Sequence, residues 1–313
     1  GRAALLAIVQ LAMCGALWLL MVRRGFSANF SPDQEFSEVI RRPDSQGAGR
    51  IRDAALLLCF TLFLLLPLAA ILFRGLPGLA TIAISGGSAL DDLAEATLRS
   101  FAIALPAGAF SVVSALLVLA LAGRAGPHFS RLSSIATAMP LMVPPIVLGT
   151  GLFLLLRPAL GHSYQGLALV ALINGLMALP FITQLLKGPL TGLDEATARQ
   201  ADQLGLLGWY RWRWLHWPRL KRPLALAMAY ATGLSLGDFG VIALFGTPGH
   251  PTIPVLLYQQ LGSYRMELAA GTALWLLTLL LLVFAGFNLP GSGRKHRKHQ
   301  SDALKTLAEA RHA

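Results

Sequence analysis

The sequence predicts an all-α integral membrane protein, and three observations predict it. The 313 residues are 55% hydrophobic and only 13% charged, with a mean hydropathy of +0.61, far more apolar than a soluble globular domain. Seven apolar runs approach or exceed the roughly 20 residues that a helix needs to cross a bilayer. The alternating pattern of a membrane β-barrel is absent, so the runs are expected to be helices.

The runs fall at about 3–22, 54–73, 98–122, 133–157, 165–186, 222–245 and 266–287. With 23–53, 123–132, 187–222 and 288–313 on the cytoplasmic side, those segments hold 21 of the 26 Lys and Arg, the excess expected of cytoplasmic loops. The net charge of +11 is therefore a topology signal and not a nucleic-acid footprint. It places the N-terminal end outside, the C-terminus inside, and Asp91, Asp92 and Glu95 on the outer face. The basic tail from Arg294 to Gln300 is expected to sit near anionic lipid headgroups.

An odd number of spans becomes intelligible when the first is set apart. Residues 23–53 are polar and rich in Gly, Pro and Ser, the composition of a cytoplasmic linker. The expected partition is 1–22 as the last helix of an upstream half, 23–53 as linker, 54–288 as a six-helix unit, and 289–313 as a basic cytoplasmic tail. The chain starts at Gly1 without a signal-peptide pattern, and it is expected to be the downstream part of a longer polypeptide. Within the unit, 74–97 reads as a long Gly-punctuated outer connection with a helix start at Leu90-Asp91-Asp92. The loop 246–264 combines turn residues with an apolar patch. Pro106, Pro140, Pro144, Pro145 and Pro180 lie in or beside apolar runs, where each is expected to kink a helix.

Both cysteines, Cys14 and Cys59, lie in apolar runs, so neither a disulfide framework nor a metal site is expected. Asn29-Phe30-Ser31 matches a glycosylation sequon but falls on the cytoplasmic side. No P-loop pattern occurs, so no ATP site and no cofactor are expected in this chain. Gly233-Leu234-Ser235-Leu236-Gly237 matches a serine nucleophile elbow in spacing alone, because it lies in an apolar helical run with no histidine in any span. Gly233 and Gly237 are better explained as a small-residue surface for helix packing. Asp238 is harder to dismiss. A carboxylate at a span centre costs about 2.5–3.5 kcal/mol, so it must face protein or water, as a pathway residue or as a structural hydrogen bond to backbone or Ser235.

The most informative stretch runs from Leu193 to Pro223, LDEATARQADQLGLLGWYRWRWLHWPRLKRP. It separates two apolar runs and must emerge into water. Two short helices are expected, Glu195–Leu204 with Asp194 as N-cap and Gly208–His216 stopped by Pro218, with Gly205 supplying the turn between them. Trp209, Trp212, Trp214 and Trp217 are too many for one face, and taken alone the block reads equally well as an interfacial anchor helix with snorkelling arginines.

This block resembles the coupling loop of ABC-importer permeases, whose pattern is EAA, three residues, Gly, nine residues, Ile-x-Leu-Pro. Ala201, Leu204, Gly205, Leu215 and Pro218 carry the match. Arg199 stands where the pattern has its glutamate, and Glu195 lies one helical turn upstream. The runs Leu236-Gly237-Asp238-Phe239-Gly240-Val241-Ile242-Ala243-Leu244-Phe245-Gly246 and Leu256-Leu257-Tyr258-Gln259-Gln260-Leu261-Gly262-Ser263-Tyr264-Arg265 look like the C-terminal half of bacterial thiamine permeases. That resemblance covers essentially the whole chain.

It implies the transmembrane domain of a type I ABC importer (MetI-like) in the bacterial inner membrane, carrying thiamine or its phosphates. The implied partners are a cytosolic ATPase dimer, which binds ATP and Mg, a periplasmic substrate-binding protein, an upstream permease half and membrane lipid. No catalytic residue and no nucleic acid are implied. Iron(III), sulfate or molybdate permeases of the same class, a secondary transporter, and a membrane hydrolase built on Ser235 and Asp238 are the alternatives that remain open on sequence.

The charge asymmetry generates a direct test. With Cys14 and Cys59 replaced, Ser45→Cys, Gly126→Cys, Trp209→Cys and Ser301→Cys should resist an impermeant thiol reagent in intact cells, whereas Ser88→Cys and His250→Cys should react. Labelling of Trp209→Cys from outside would reverse the arrangement.

Overall fold

The computed structural model describes residues 13, 16, 48–85, 87–124, 127–156, 165–203, 210, 213–214, 217–246 and 249–288, and these form helices with no strand among the described residues. In chain order the helices are α1 Ala48–Ile84, α2 Gly87–Arg124, α3 Pro127–Met142, α4 Pro145–Leu156, α5 Gln165–Gln203, α6 Trp217–Leu236, α7 Gly240–Phe245, α8 Ile253–Gly262 and α9 Met266–Asn288. The run 3–22 lies outside the described residues apart from Met13 and Ala16, and the tail 289–313 lies outside them entirely.

Two boundaries differ from the sequence reading. Helix α1 starts within the expected linker and continues through Pro77 to Ile84, and α2 starts at Gly87 instead of Leu90, so most of 74–97 is helix and not an outer connection. The glycines that looked like punctuation serve close packing. A Cβ on Gly78 would lie 2.2 Å from the Glu267 carbonyl oxygen and 2.6 Å from the Gly271 nitrogen, and one on Gly75 would lie 2.5 Å from Leu274 Cβ. Bare glycine lets α1 and α9 meet backbone to backbone.

Two expected spans are broken. The run 133–157 is not one helix, because α3 and α4 meet at Val143-Pro144 with a bend of 106° between Leu132–Met142 and Pro145–Leu155. Pro144 and Pro145 lack the donors that would continue the ladder, and Pro disfavours helical backbone at the residue before it. The run 222–245 is likewise divided, with α6 ending at Leu236 and α7 beginning at Gly240. Four described helices are individually long and apolar enough to cross a membrane, five if the bent pair counts as one.

Helix α2 organises the bundle. Ala96, Ser100, Ala104, Ala107, Ser111 and Ala115 recur at helical spacing and are each at most 3% exposed. This stripe of small side chains meets α5 through Ile173 and Ala178, α6 through Ala227 and Ala229, and α8 through Ile253. Polar links reinforce it: Ser100 Oγ accepts from the Ile253 N–H at 3.0 Å, and Trp275 Nε1 on α9 donates to Thr97 Oγ1 at 3.0 Å. Helix α1 is different, since Leu57, Phe60, Phe63 and Leu66 are all exposed, a surface suited to lipid.

Helix α8 ends in a Schellman motif. The Arg265 N–H donates to the Gln260 carbonyl at 2.9 Å and the Tyr264 N–H to the Leu261 carbonyl at 3.1 Å, with Tyr264 at φ 59°, where glycine is usual. This reversal turns α8 directly into α9.

The α1–α9 crossing predicts a specific sensitivity. Gly271→Ala should lower the stability of the purified protein by about 1–3 kcal/mol, because the added Cβ would lie 2.6 Å from the Gly78 carbonyl carbon. Gly286→Ala, which meets nothing within 4 Å, should be neutral in the same detergent-unfolding measurement.

Candidate functional site

The polar groups inside the bundle gather where α2, α5 and α6 meet and where α6 stops. Asn174 on α5 is buried, and its Nδ2 donates to Ser235 Oγ at 2.9 Å across the α5–α6 interface. The Asn174 side chain also hydrogen-bonds the carboxyl group of Asp238. That carboxyl group faces the backbone N–H groups of Gly240, Val241 and Ile242, the first donors of α7, which have no partner within their own helix. A break inside a membrane helix strands such donors, and a carboxylate beside them satisfies what lipid cannot.

The constellation is not fully satisfied. Asp238 Oδ2, Thr232 Oγ1 and Ser111 Oγ are buried without a hydrogen-bond partner among the described residues. Thr232 faces α2 at Gly108, where a Cβ would lie 2.7 Å from its Oγ1. At the rim of this centre Phe239 stacks against Tyr258 of α8, with ring centroids 4.8 Å apart and planes tilted by 40°. The amide of Asn174 and the hydroxyls of Ser111, Thr232 and Ser235 are buried, whereas Phe239 and Tyr258 are exposed. These groups supply no nucleophile: Ser235 lies within α6 and accepts from Asn174, without the strand-to-helix turn of an elbow. No group of three or more potential metal ligands occurs among the described residues.

The sequence-selected residues fall into three groups. Asp238 lies in the break between α6 and α7 and not at the centre of a span, and its partners are Asn174 and α7 backbone, with Ser235 one link away through Asn174. Gly233 approaches α9, with a Cβ position 3.2 Å from Phe284 Cε2. Gly237 is exposed and meets only carbonyls of its own helix, so it offers no packing surface, because α6 has already ended there. In the polar block after Leu193, Glu195, Arg199 and Ala201 belong to α5, which runs unbroken to Gln203. A separate first helix capped by Asp194 is thus corrected: Asp194 is interior to α5. Pro218 occupies the second position of α6, where a missing N–H costs nothing, and most of the expected second helix, Gly208–His216, lies outside the described residues. Leu204, Gly205 and Leu215 lie outside the described residues.

Asn174, Thr232, Ser111, Phe239 and Tyr258 escaped the sequence reading. The amide of Asn174 within an apolar run was a usable signal, since buried polar side chains in spans seek partners on neighbouring helices. The two stretches that looked like thiamine permeases, 236–246 and 256–265, are the ones that the Phe239–Tyr258 contact joins.

Comparison with known proteins agrees. Over 299 residues, 94% of this chain and 55% of the relative, the sequence is 37% identical to the thiamine transport system permease protein of Salmonella typhimurium. The chain is a homologue of the thiamine transport permeases. The corresponding protein of Haemophilus influenzae is 34% identical over 289 residues, 91% of this chain and 52% of the relative. That of Brucella abortus is 31% identical over 301 residues, 94% and 53%. The chain spans about half the length of the curated relatives it matches. No family model matches it. With its apolar helices, the homology makes it a multi-pass membrane protein.

The Asn174–Ser235 bond in this permease predicts a measurable coupling. In a double-mutant cycle of Asn174→Ala and Ser235→Ala, unfolding in mixed micelles should give an interaction energy of about 0.6 kcal/mol and no more than about 1.7 kcal/mol. Strict additivity would show that the two side chains are neighbours without an energetic bond.

Proposed function

We propose that this chain forms one half of the translocation pathway of an ATP-driven importer for thiamine or its phosphates in the bacterial inner membrane. Its similarity to thiamine transport permeases supports the substrate, and the charge distribution supports an orientation with the C-terminus cytoplasmic. A cytosolic ATPase dimer that binds ATP and Mg, a periplasmic binding protein and a second permease half complete the assembly.

The observation that carries the reading is the continuity of α5. It runs as one helix from Gln165 to Gln203, so that Asn174 in the polar centre and Glu195 in the cytosolic block belong to the same rod. At 1.5 Å per residue the 21-residue separation is about 32 Å, close to the thickness of the hydrocarbon core. ATPase closure pressing on the block around Glu195, Arg199 and Ala201 would tilt α5 and displace Asn174, and with it the contacts to Ser235 and Asp238. Pro180 and Pro189 within α5 each remove a ladder bond and give the rod places to bend. Alternating access then follows as rocking of one helix group against the other. Leu204, Gly205, Leu215 and Pro218 would shape the rest of the ATPase docking surface.

The test is Gly205→Val in the assembled transporter reconstituted into proteoliposomes. A β-branched residue suits poorly the turn that the sequence predicts at Gly205, so thiamine uptake and substrate-stimulated ATP hydrolysis should both fall several-fold while assembly with the ATPase is retained. Uptake at the wild-type rate with equal protein would reduce the block to an interfacial anchor.

A further inference from the structure

We propose that the groove between α5 and α6 binds one anionic phospholipid, with its phosphate between Lys187 and Arg222 and an acyl chain along Phe181, Leu226 and Leu234. The inference goes beyond the importer reading and is independent of which solute the permease carries.

Two contacts fix how these helices lie together. Asn174 Nδ2 donates to Ser235 Oγ at 2.9 Å, and the rings of Phe181 and Tyr230 meet with centroids 6.1 Å apart. The helices are therefore antiparallel. Followed by equal numbers of residues from Asn174 and Ser235, they bring Lys187 on α5 level with Arg222 on α6. Each cation ends an exposed ridge. On α5, Phe181, Gln184 and Lys187 recur at intervals of three and are all exposed. On α6, Arg222, Leu226, Tyr230 and Leu234 recur at intervals of four, all exposed except the half-buried Tyr230. Leu220, Ala227 and Ala231, on another face of α6, are the residues buried in the bundle. The two ridges thus flank one open groove, joined at the Phe181–Tyr230 contact. From Arg222 to Leu234 it rises about 18 Å, a little more than one leaflet of a hydrocarbon core roughly 30 Å thick.

The charge selects the ligand. Two cations side by side at a membrane boundary repel each other, and three of the first six residues of α6 are basic with no acidic residue in its first turn, against the helix dipole. Arg219 and Lys221 are exposed and form no ion pair among the described residues. Trp217, 41% exposed in the same turn, suits the headgroup level. Basic pockets between spans on the cytoplasmic side, where the charge distribution puts this end, hold anionic headgroups. A free phosphate would satisfy the cations and leave the apolar ridges uncovered. An acidic protein segment would have to carry unpaired backbone into the hydrocarbon region. A phospholipid meets the basic end and the apolar groove at once.

The experiment is photolabelling of the permease, assembled with its second half in mixed micelles of detergent and phosphatidylcholine. The probe is a phosphatidylglycerol with a diazirine in its acyl chain, and labelled residues are mapped by mass spectrometry. Saturable labelling should fall at or beside Phe181, Leu226 and Leu234, and unlabelled phosphatidylglycerol should compete at about tenfold lower concentration than phosphatidylcholine. Lys187→Gln combined with Arg222→Gln should raise the concentration for half-maximal labelling about tenfold, the scale expected of two basic side chains at an anionic lipid surface. Lys187→Arg combined with Arg222→Lys, which keeps the charge, should stay within about twofold. Lys187→Gln alone, with a shift of about threefold, serves if the neutral pair does not fold. Wild-type labelling in the neutral variants, or equal competition by phosphatidylcholine, would overturn the site. Competition by glycerol 3-phosphate at the concentration of the intact lipid would make it a free-anion site, and no ridge labelling in the assembled permease would make the groove a contact between halves; either result ends the proposal.

Discussion

Everything in this bundle depends on how closely helices can approach one another. In a bilayer, apolar surface gains little by leaving lipid for another helix, so association rests on dispersion contacts and on bonds between polar groups. Both strengthen with proximity. The stripe of Ala and Ser along α2 sets that proximity for α5, α6 and α8, and the facing glycines Gly78 and Gly271 set it for α1 and α9. Larger residues on these lines would not build a bigger core; they would push the helices apart. The hydroxyl and amide links then act at short range, as Asn174 does to Ser235 and Trp275 to Thr97.

Close packing also permits the departures from helix. Backbone groups at membrane depth must find partners within protein, so a break is tolerable only where neighbours supply them. At the α6–α7 break the donors of Gly240, Val241 and Ile242 meet the Asp238 carboxyl group, itself steadied by Asn174. One carboxylate thus solves a structural problem and leaves an oxygen over. That remaining oxygen, Oδ2, is buried without a hydrogen-bond partner among the described residues.

The elements were legible where a long apolar run coincided with an unbroken helix, as for 98–122 in α2 and 266–287 in α9. Hydropathy reports burial in lipid, and it is silent on backbone continuity. The runs 133–157 and 222–245 therefore looked whole although Pro144-Pro145 and Gly237-Asp238 divide them. Conversely, the polar run after Leu193 looked like a fresh start, yet α5 simply continues, because Glu, Ala, Arg and Gln are strong helix formers and outweigh the capping tendency of Asp194 and Thr197. Asp238 was legible as a cost that had to be offset, whereas its partner Asn174, 64 positions earlier, was not, since no local pattern encodes which neutral amide will face a given carboxylate. The Phe239–Tyr258 contact was hidden for the same reason, because it is created by the return of α8 against the α6–α7 break.

That return shows how the parts are mechanically joined. Helix α8 is held to α2 by Ser100 and to α9 by the bond from Thr272 Oγ1 to Gln260 Oε1 at 2.8 Å. Tyr258 is therefore carried by the α2–α9 framework, while Asn174 is carried by α5. Asp238 lies between them, bonded to Asn174 on one side and adjacent in sequence to the ring that meets Tyr258 on the other. A displacement of α5 relative to α2 must either stretch the Asn174 contacts or drag the break and separate the rings. The α6–α7 break is the place where such strain is absorbed at least cost, because Gly237 meets no side chain and Gly240 meets nothing within 4 Å. Movement at the far end of α5 would thus reach the break through two hydrogen-bonded residues, with no need for α2 or the α1–α9 crossing to move at all.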